Sequence, residues 1–323
     1  MFMKRIIALI ALGGLTAFGQ TAPSPTSETD RATLQATLKR LAELTEQNEG
    51  LRKKVLALEQ SPAKPETNVA STATAAAAAS ATTTPPTAAL TASFAVPVLS
   101  AYVWRGIVVN DGPVAQPNAT ISKNGFSFNV WGNYNFTDAY SDETKQEVSE
   151  VDFTLSYSRT VGPVTLGAAY AEYVYPHQTV TGPDGRSFAA PGTREVQVSA
   201  GLPDVFLTPT LTLVRDIDEI DGSYASFALS KSFTLSKKVQ AAFGFSTGAG
   251  DKDYNAGYFG VSKTQLVDGN LSFSLPIAIT DTVTLTPLVQ YTWLWDSQIR
   301  GGAETLYKDD SAVWGGVTLN VSL

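Results

Sequence analysis

This chain has few of the residues that usually act as nucleophiles, general bases or metal ligands. The 323 residues include no cysteine and one histidine, His177. A disulfide framework, a thiolate metal site and a thiol nucleophile are therefore excluded, and a lone histidine has no histidine partner for a zinc or iron site. His177 follows Pro176 in a polar segment that predicts a loop, where a general base would not be held rigidly. We predict no catalytic residue, no metal ligand, no cofactor and no enzymatic activity.

The other polar side chains of interest alternate with apolar ones. Glu150 and Asp152 are separated by one apolar residue, and Glu195 and Gln197 have the same spacing. Residues two apart lie on the same face of a strand, and carboxylates on the inner face of a pore favour cations. The alternative is that the inward polar side chains pair with one another and seal the interior. The predicted pore-lining set is Arg105, Asn129, Asn133, Glu150, Asp152, Glu195, Gln197 and Gln290.

The alternation of apolar and polar residues begins at Phe94 and predicts an all-β domain over 94–323. Its connections are mostly tight turns, such as Asn124-Gly125, alternating with longer loops. Short turns at one rim and long loops at the other are typical of an antiparallel up-and-down membrane barrel. The twelve predicted strands are 97–108, 113–122, 125–137, 147–160, 163–175, 193–202, 205–215, 222–234, 237–247, 269–279, 282–295 and 311–323.

Strand length separates a membrane barrel from a soluble β-sandwich. Strands in soluble sheets usually have about five or six residues, whereas a tilted strand that crosses an apolar band of roughly 25 Å needs about ten. Several of the predicted strands reach that length, which favours the barrel, with a soluble exported β domain as the alternative. Aromatic residues near strand ends predict girdles at the two membrane interfaces: Tyr102, Trp104, Tyr134, Phe136, Tyr173, Tyr175, Trp293 and Trp295.

Composition excludes two further classes. The net charge is −7, and the region from Phe94 onward has 14 basic and 23 acidic residues. Nucleic-acid-binding proteins normally have a basic face, so we predict no nucleic-acid partner. The sequence has no run of 18 apolar residues, so a transmembrane helix is not expected.

The N-terminal part differs from the barrel region. Residues 1–19 predict a signal peptide, because Lys4 and Arg5 precede an apolar run that ends in small residues. A short polar segment, 20–30, follows. Residues 61–93 are mostly Ala, Thr, Ser and Pro, which predicts a linker.

Residues 31–60 have a heptad pattern that predicts an α-helical coiled coil. Its narrow apolar stripe would bury little surface in a single helix, so we predict self-association; the alternative is a solitary, solvated helix. The predicted oligomerisation residues are Leu34, Leu41, Leu44, Asn48, Leu51, Val55 and Leu58.

One segment resembles a known family. The sequence Tyr102-Val103-Trp104-Arg105-Gly106, followed by Pro113 and Gln116 and then by Gly125-Phe126 and Trp131-Gly132, is similar to the start of the Gcw_chp family of uncharacterised bacterial envelope proteins. The resemblance implies an envelope β-barrel and suggests no substrate. It singles out Arg105, as either a lumen-rim charge that guides solutes or a structural partner of a carboxylate on a neighbouring strand.

Together these patterns predict a bacterial outer-membrane β-barrel embedded in lipid, with its coiled coil in the periplasm. The polar interior predicts a porin-like channel for passive diffusion of small hydrophilic solutes. The alternative is a non-conducting structural or adhesive barrel whose long loops bind an outside partner.

Overall fold

The computed structural model describes residues 89–137, 145–181, 187–307 and 309–323. The chain divides into two units, residues 1–67 and 68–323, and all described residues belong to the second. The predicted signal peptide, polar segment and coiled coil lie outside the described residues, as does the predicted linker up to residue 88.

The described residues form eighteen strands and two short helices. In chain order these are β1 (Thr91–Leu99), β2 (Tyr102–Trp104), β3 (Ile107–Asn110), β4 (Val114–Ala115), β5 (Asn118–Lys123), β6 (Phe126–Asn135), β7 (Val148–Val161), β8 (Val164–Val174), β9 (Thr179–Thr181), β10 (Ser187–Ala189), β11 (Thr193–Gly201), β12 (Thr210–Asp216), β13 (Ser223–Thr234), β14 (Gln240–Gly250), α1 (Lys252–Phe259), β15 (Gln265–Ser274), β16 (Ile277–Ala278), β17 (Val283–Leu294), α2 (Ser297–Leu306) and β18 (Ser311–Ser322).

Fourteen of these strands form one antiparallel sheet that closes on itself. β4 and β5 together make one wall strand, as do β15 and β16, so the wall has twelve strands and confirms the predicted barrel. Each of the two breaks contains a proline, Pro117 or Pro276, which has no N–H to donate to the ladder. The sheet closes where β1 pairs with β18, from Ser93 opposite Ser322 to Leu99 opposite Gly316.

Side-chain exposure shows which face of each strand lies outside. On β7, Phe153 and Leu155 are exposed, whereas Asp152 is buried. Leu155 pairs across the sheet with the exposed residues Phe128 and Tyr170, so the outer face is an apolar band. The polar and small residues between them point inward. This arrangement is inverted relative to a soluble protein, in which the apolar face is buried.

The two rims differ as predicted. Tight turns join β5 to β6 and β7 to β8, and the first uses Asn124 and Gly125 with φ angles of 53° and 83°. Both angles are in the left-handed region that a two-residue hairpin turn requires. At this short-turn rim the connection 202–209 is longer than expected, and β12 begins at Thr210 instead of residue 205.

The first predicted strand, 97–108, differs most from the structure. β1 ends at Leu99, and β2 and β3 form a separate hairpin. Tyr102, Val103 and Trp104 are consecutive and all buried, so this segment has no outward face and cannot be part of the wall. β1 also begins at Thr91, three residues before the predicted start of the barrel.

Two long connections predicted as loops contain helices. α1 lies between β14 and β15, and α2 lies between β17 and β18. Each begins after an aspartate, Asp251 or Asp296, whose carboxylate accepts hydrogen bonds from two backbone N–H groups of the first turn. Both helices are at the long-loop rim.

The seam between β1 and β18 requires a residue without a side chain at position 316. A Cβ there would lie 2.0 Å from the carbonyl oxygen of Val98. We therefore expect Gly316→Val to prevent the barrel from closing, measured as loss of the faster-migrating band of unheated protein on a denaturing gel. Gly301→Ala in α2 is the control, because a Cβ there meets nothing within 4 Å beyond its own helix and chain neighbours. Equal loss of the band in both variants would contradict the requirement for glycine at position 316.

Candidate functional site: the barrel lumen

Residues 102–110 fold from the end of β1 into the barrel interior, and we call them the inner hairpin. The hairpin turns at Arg105 and Gly106, whose φ angles are 45° and 86°. A Cβ at Gly106 would lie 2.5 Å from Cδ2 of Leu294 and 2.7 Å from Cβ of Asp268. Glycine therefore lets the tip of the inner hairpin lie directly against two wall strands, β15 and β17.

Arg105 at the tip forms an ion pair with Glu195 of β11. Its two terminal nitrogens each donate to one carboxylate oxygen at 2.8 Å. The guanidinium carbon lies 4.4 Å from the ring centre of Trp104 and 4.9 Å from that of Tyr224. The Tyr173 hydroxyl also donates to Glu195, at 2.8 Å. The side chains of Arg105 and Glu195 are only 7% and 1% exposed, so both charges depend on this pairing in place of water.

Two further inward carboxylates accept hydrogen bonds from tyrosine hydroxyls. Tyr102 of the inner hairpin donates to Glu150 at 2.9 Å, and Tyr224 of β13 donates to Asp268 at 2.8 Å. Asp152 is also buried, and its Oδ1 atom has no hydrogen-bond partner. Of these four inward acidic residues, Glu195 is the one paired with a cation among the described residues.

The inner hairpin also contributes to an apolar cluster at the long-loop rim. The Trp104 ring lies 5.1 Å from the Tyr258 ring of α1, and Tyr224 and Tyr254 are 5.2 Å apart. Ile299 of α2 belongs to the same buried cluster. The long-loop half of the lumen is therefore filled by the inner hairpin and covered by the two helices.

α1, which covers the lumen, has a capping residue at each end. Asp251 accepts hydrogen bonds from the backbone N–H groups of Tyr254, at 2.8 Å, and Ser223, at 2.9 Å. Burial acts to raise the pKa of Asp251, but these hydrogen bonds to its charged form outweigh it and lower the pKa below the ordinary value. Gly260 ends the helix with a φ of 68°.

The short-turn half of the lumen is different. Its inward side chains are small or amide-bearing, and most are half-buried, although a few such as Thr165 and Thr286 are fully buried. A twelve-stranded barrel is wider than the eight-stranded barrels whose own side chains fill them, which favours open space between small inward residues. Inward residues of this half include Asn129, Thr154, Ser156, Ser199, Thr212, Ser232, Ser272, Thr318 and Asn320.

The predicted pore-lining residues fall in both halves. Asn129 lies in the short-turn half, where it donates to Thr120 at 2.8 Å. The other seven, Arg105, Asn133, Glu150, Asp152, Glu195, Gln197 and Gln290, are buried in the long-loop half.

Among these buried residues, polar pairing is extensive. Gln197 donates to Glu195 at 3.2 Å, and Gln290 accepts from Asn270 at 3.0 Å. Asn133 donates to Ser149 at 2.7 Å. Pairing between inward polar side chains thus occurs in both halves, with fully buried amides and carboxylates in the long-loop half.

The carboxylate partner of Arg105 is Glu195 on β11. This strand lies across the lumen from the inner hairpin and is not the neighbouring strand that the sequence analysis suggests. A role of Arg105 in guiding solutes stays a prediction.

Sequence reasoning missed the aromatic partners of this site. Tyr102, Trp104 and Tyr173 were predicted in the interfacial girdles, but all three are buried inside the barrel. Tyr134 and Trp295 are turned outward, as predicted for girdle residues. The unbroken apolar run after Gly106 was the available signal, because a wall strand would alternate there.

Among the described residues, no helix is long and apolar enough to cross a membrane. In the same residues, no three His, Asp or Glu side chains are placed so that they could hold a metal ion. His177 is exposed in the connection between β8 and β9, 3.8 Å from Glu147.

An apolar outer face around a polar interior, in a closed antiparallel sheet of even strand number, defines the architecture of outer-membrane β-barrels. No protein-family model matches the chain, and no curated protein matches it. The predicted membership of the Gcw_chp family is therefore not confirmed.

Three solved structures to which the chain is similar are barrels of this class. OmpT of Vibrio cholerae has 6% identity over 73% of this chain and 97% of its own, with a TM-score of 0.36. The NanC porin has 13% identity over 73% and 99%, with a TM-score of 0.38. An outer membrane channel from Pseudomonas putida F1 has 10% identity over 72% and 95%, with a TM-score of 0.41. These scores are low, so the barrel assignment rests on the strand pairing of this chain.

We expect Glu195→Gln to destabilise the barrel by about 3–5 kcal/mol, because it leaves the Arg105 charge buried without its partner. The measurement is the free energy of unfolding of the refolded protein, together with hydrogen exchange of residues 102–110. The double variant Arg105→Met with Glu195→Leu should recover part of the loss, since it removes both buried charges but leaves the Tyr173 hydroxyl without its acceptor.

The matched control for Glu195→Gln is Arg194→Gln, on the same strand. Arg194 is half-exposed and pairs with Glu172 and Asp218 at the surface, so its loss should cost about 1 kcal/mol or less. Equal costs for the two single variants would show that the buried ion pair does not hold the inner hairpin.

Proposed function

We propose that this protein is a bacterial outer-membrane β-barrel whose apolar band lies in lipid. The observation that supports this is the exposure of large apolar side chains around the wall, such as Leu155, Val198 and Leu213, which are each about half exposed. A soluble protein rarely exposes a contiguous apolar patch of more than a few hundred Å². A lipid environment removes this cost, since hydrocarbon solvates these side chains.

We further propose that the barrel is a channel for small hydrophilic solutes, with its narrowest point at the inner hairpin. Half-buried Ser, Thr and Asn side chains in the short-turn half provide a wettable vestibule. Beyond it, the inner hairpin contacts the wall at Glu150 and Asp268, so passage requires the inner hairpin to move away from the wall carboxylates Glu150, Asp152 and Asp268. Because Arg105 already compensates Glu195, the other carboxylates give this constriction a preference for cations.

A non-conducting barrel is the second candidate, and the packing of the inner hairpin favours it. Seventeen residues form the buried apolar cluster that includes the inner hairpin and both helices. In such a barrel the long connections at this rim would bind an outside partner, and the lumen would have only a structural role. Conductance separates the two candidates.

The membrane location predicts opposite outcomes for two adjacent residues of β7. Leu155→Arg places a charge in the lipid band and should destabilise the membrane-inserted barrel by about 2–4 kcal/mol. Thr154→Arg places the same charge in the vestibule and should be tolerated. The measurement is urea-induced unfolding from lipid vesicles. Protein that stays dissolved without detergent or lipid, with both variants equally stable, would overturn the membrane location.

The channel proposal predicts a small, cation-preferring conductance of the purified full-length protein in planar bilayers. Replacing residues 102–110 by a short Gly/Ser turn should increase the single-channel conductance several-fold, because it removes the constriction. The gel shift between heated and unheated samples shows that the variant is folded. A folded, inserted barrel that does not conduct, with or without the inner hairpin, would exclude the channel and leave the second candidate.

A further inference from the structure

The outer wall has an apolar groove that the proposed channel does not use. It extends across β13, β14, β15, β17 and β18 and has a volume of about 510 Å³. The strand register brings its lining residues into neighbouring rows on the outer face. Six of these lining residues are Leu229, Phe243, Phe245, Phe273, Tyr291 and Val313.

One lysine lies at the edge of this groove. Lys231 is on the outer face of β13, paired across the sheet with Phe243. Its Nζ atom lies 4.7 Å from the ring centre of Phe206, a cation–π contact. Among the described residues, no carboxylate forms an ion pair with Lys231. The ammonium group is therefore available to an anion that approaches from outside the wall.

Lys231 is also close to the rim of the short turns, since β13 ends three residues later, at Thr234. The charges of this rim are mostly positive among the described residues, with two acids, Asp204 and Asp281, against five bases. The bases are Lys123, Arg159, Lys231, Lys237 and Lys238. In outer-membrane barrels the short turns face the periplasm, so these bases would lie at the level of the periplasmic headgroups.

We propose that this groove binds an anionic phospholipid of the periplasmic leaflet. One acyl chain lies along the apolar groove, and the phosphate group pairs with Lys231. Two features support a phospholipid. The residues that line the groove are mostly apolar, which suits an acyl chain, and the one cation among them, Lys231, lies near the short-turn rim, where a headgroup would be. A lysine near a membrane surface contributes about 1 kcal/mol to the attraction of anionic lipid. The inference rests on the proposed membrane location and is independent of conductance.

The test uses the full chain folded in vesicles of phosphatidylcholine, with or without phosphatidylglycerol. The first readout is the temperature at which the folded band disappears on a gel, and the second is the phosphatidylglycerol retained after extraction, measured by native mass spectrometry. We expect phosphatidylglycerol to raise the transition temperature of the wild-type protein. Lys231→Gln should make this increase smaller and reduce retention about fivefold, the change that corresponds to one lysine near the surface.

Two matched controls isolate the site. Lys237→Gln removes a charge from the same rim away from the groove and should retain as much phosphatidylglycerol after extraction as the wild type. Val313→Trp places a bulky ring in the groove and should reduce retention while Lys231 is intact. Val317→Trp, on the same outer face of β18 but outside the groove lining, should not.

Three outcomes would overturn the proposal. One is equal retention in the wild type and Lys231→Gln, and another is equal loss in Lys231→Gln and Lys237→Gln, which would indicate a diffuse basic rim. The third is a dimer that cross-links through this face and is lost in Val313→Trp, since a second copy would then occupy the groove. Failure of the barrel to insert into vesicles at all would instead refute the membrane location.

Discussion

Closure of the sheet is the constraint on which the rest of this structure depends. Every wall strand has two hydrogen-bonded neighbours once β1 pairs with β18, so no row of backbone N–H and C=O groups is left unpaired at an edge. In lipid an unpaired backbone group would cost several kcal/mol, and closure removes that cost for the whole wall. Gly316 shows how close the contact is, because any side chain there would meet the backbone of β1. Closure also divides the side chains into an outer and an inner set.

The inner side chains include buried carboxylates that need hydrogen-bond donors, whereas the outer side chains are mostly apolar and need none. Carboxylates such as Glu150, Glu195 and Asp268 lie where water is scarce, and each needs a donor. The inner hairpin supplies two of these donors, the guanidinium of Arg105 and the hydroxyl of Tyr102. It thereby stabilises the charged wall and at the same time narrows the lumen. The same contacts thus serve the stability of the barrel and set the size of any passage.

The two ends of the barrel consequently differ in the packing and polarity of their inward side chains. At the long-loop rim the inner hairpin, α1 and α2 form a packed apolar cluster, whereas at the short-turn rim the inward side chains are small, polar and mostly half-buried. The outer wall shows a corresponding polarity, with Lys231 and other bases near the short turns. A membrane with different headgroups in its two leaflets would accommodate such a barrel in one orientation, because charge and packing at the rims are not interchangeable.

The sequence by itself determined the wall, because a period of two requires no knowledge of distant contacts. Phe153 and Leu155 alternate with Asp152, and that local pattern is enough to predict a strand, its two faces and the rims between which it runs. It could not determine where residues 102–110 lie, since the apolar run after Gly106 argues against a wall strand but does not show what the segment packs against. Only the tertiary structure brings Arg105 within hydrogen-bond distance of Glu195, which is 90 residues away. Pairing across a lumen depends on closure of the whole barrel, and no local pattern encodes it.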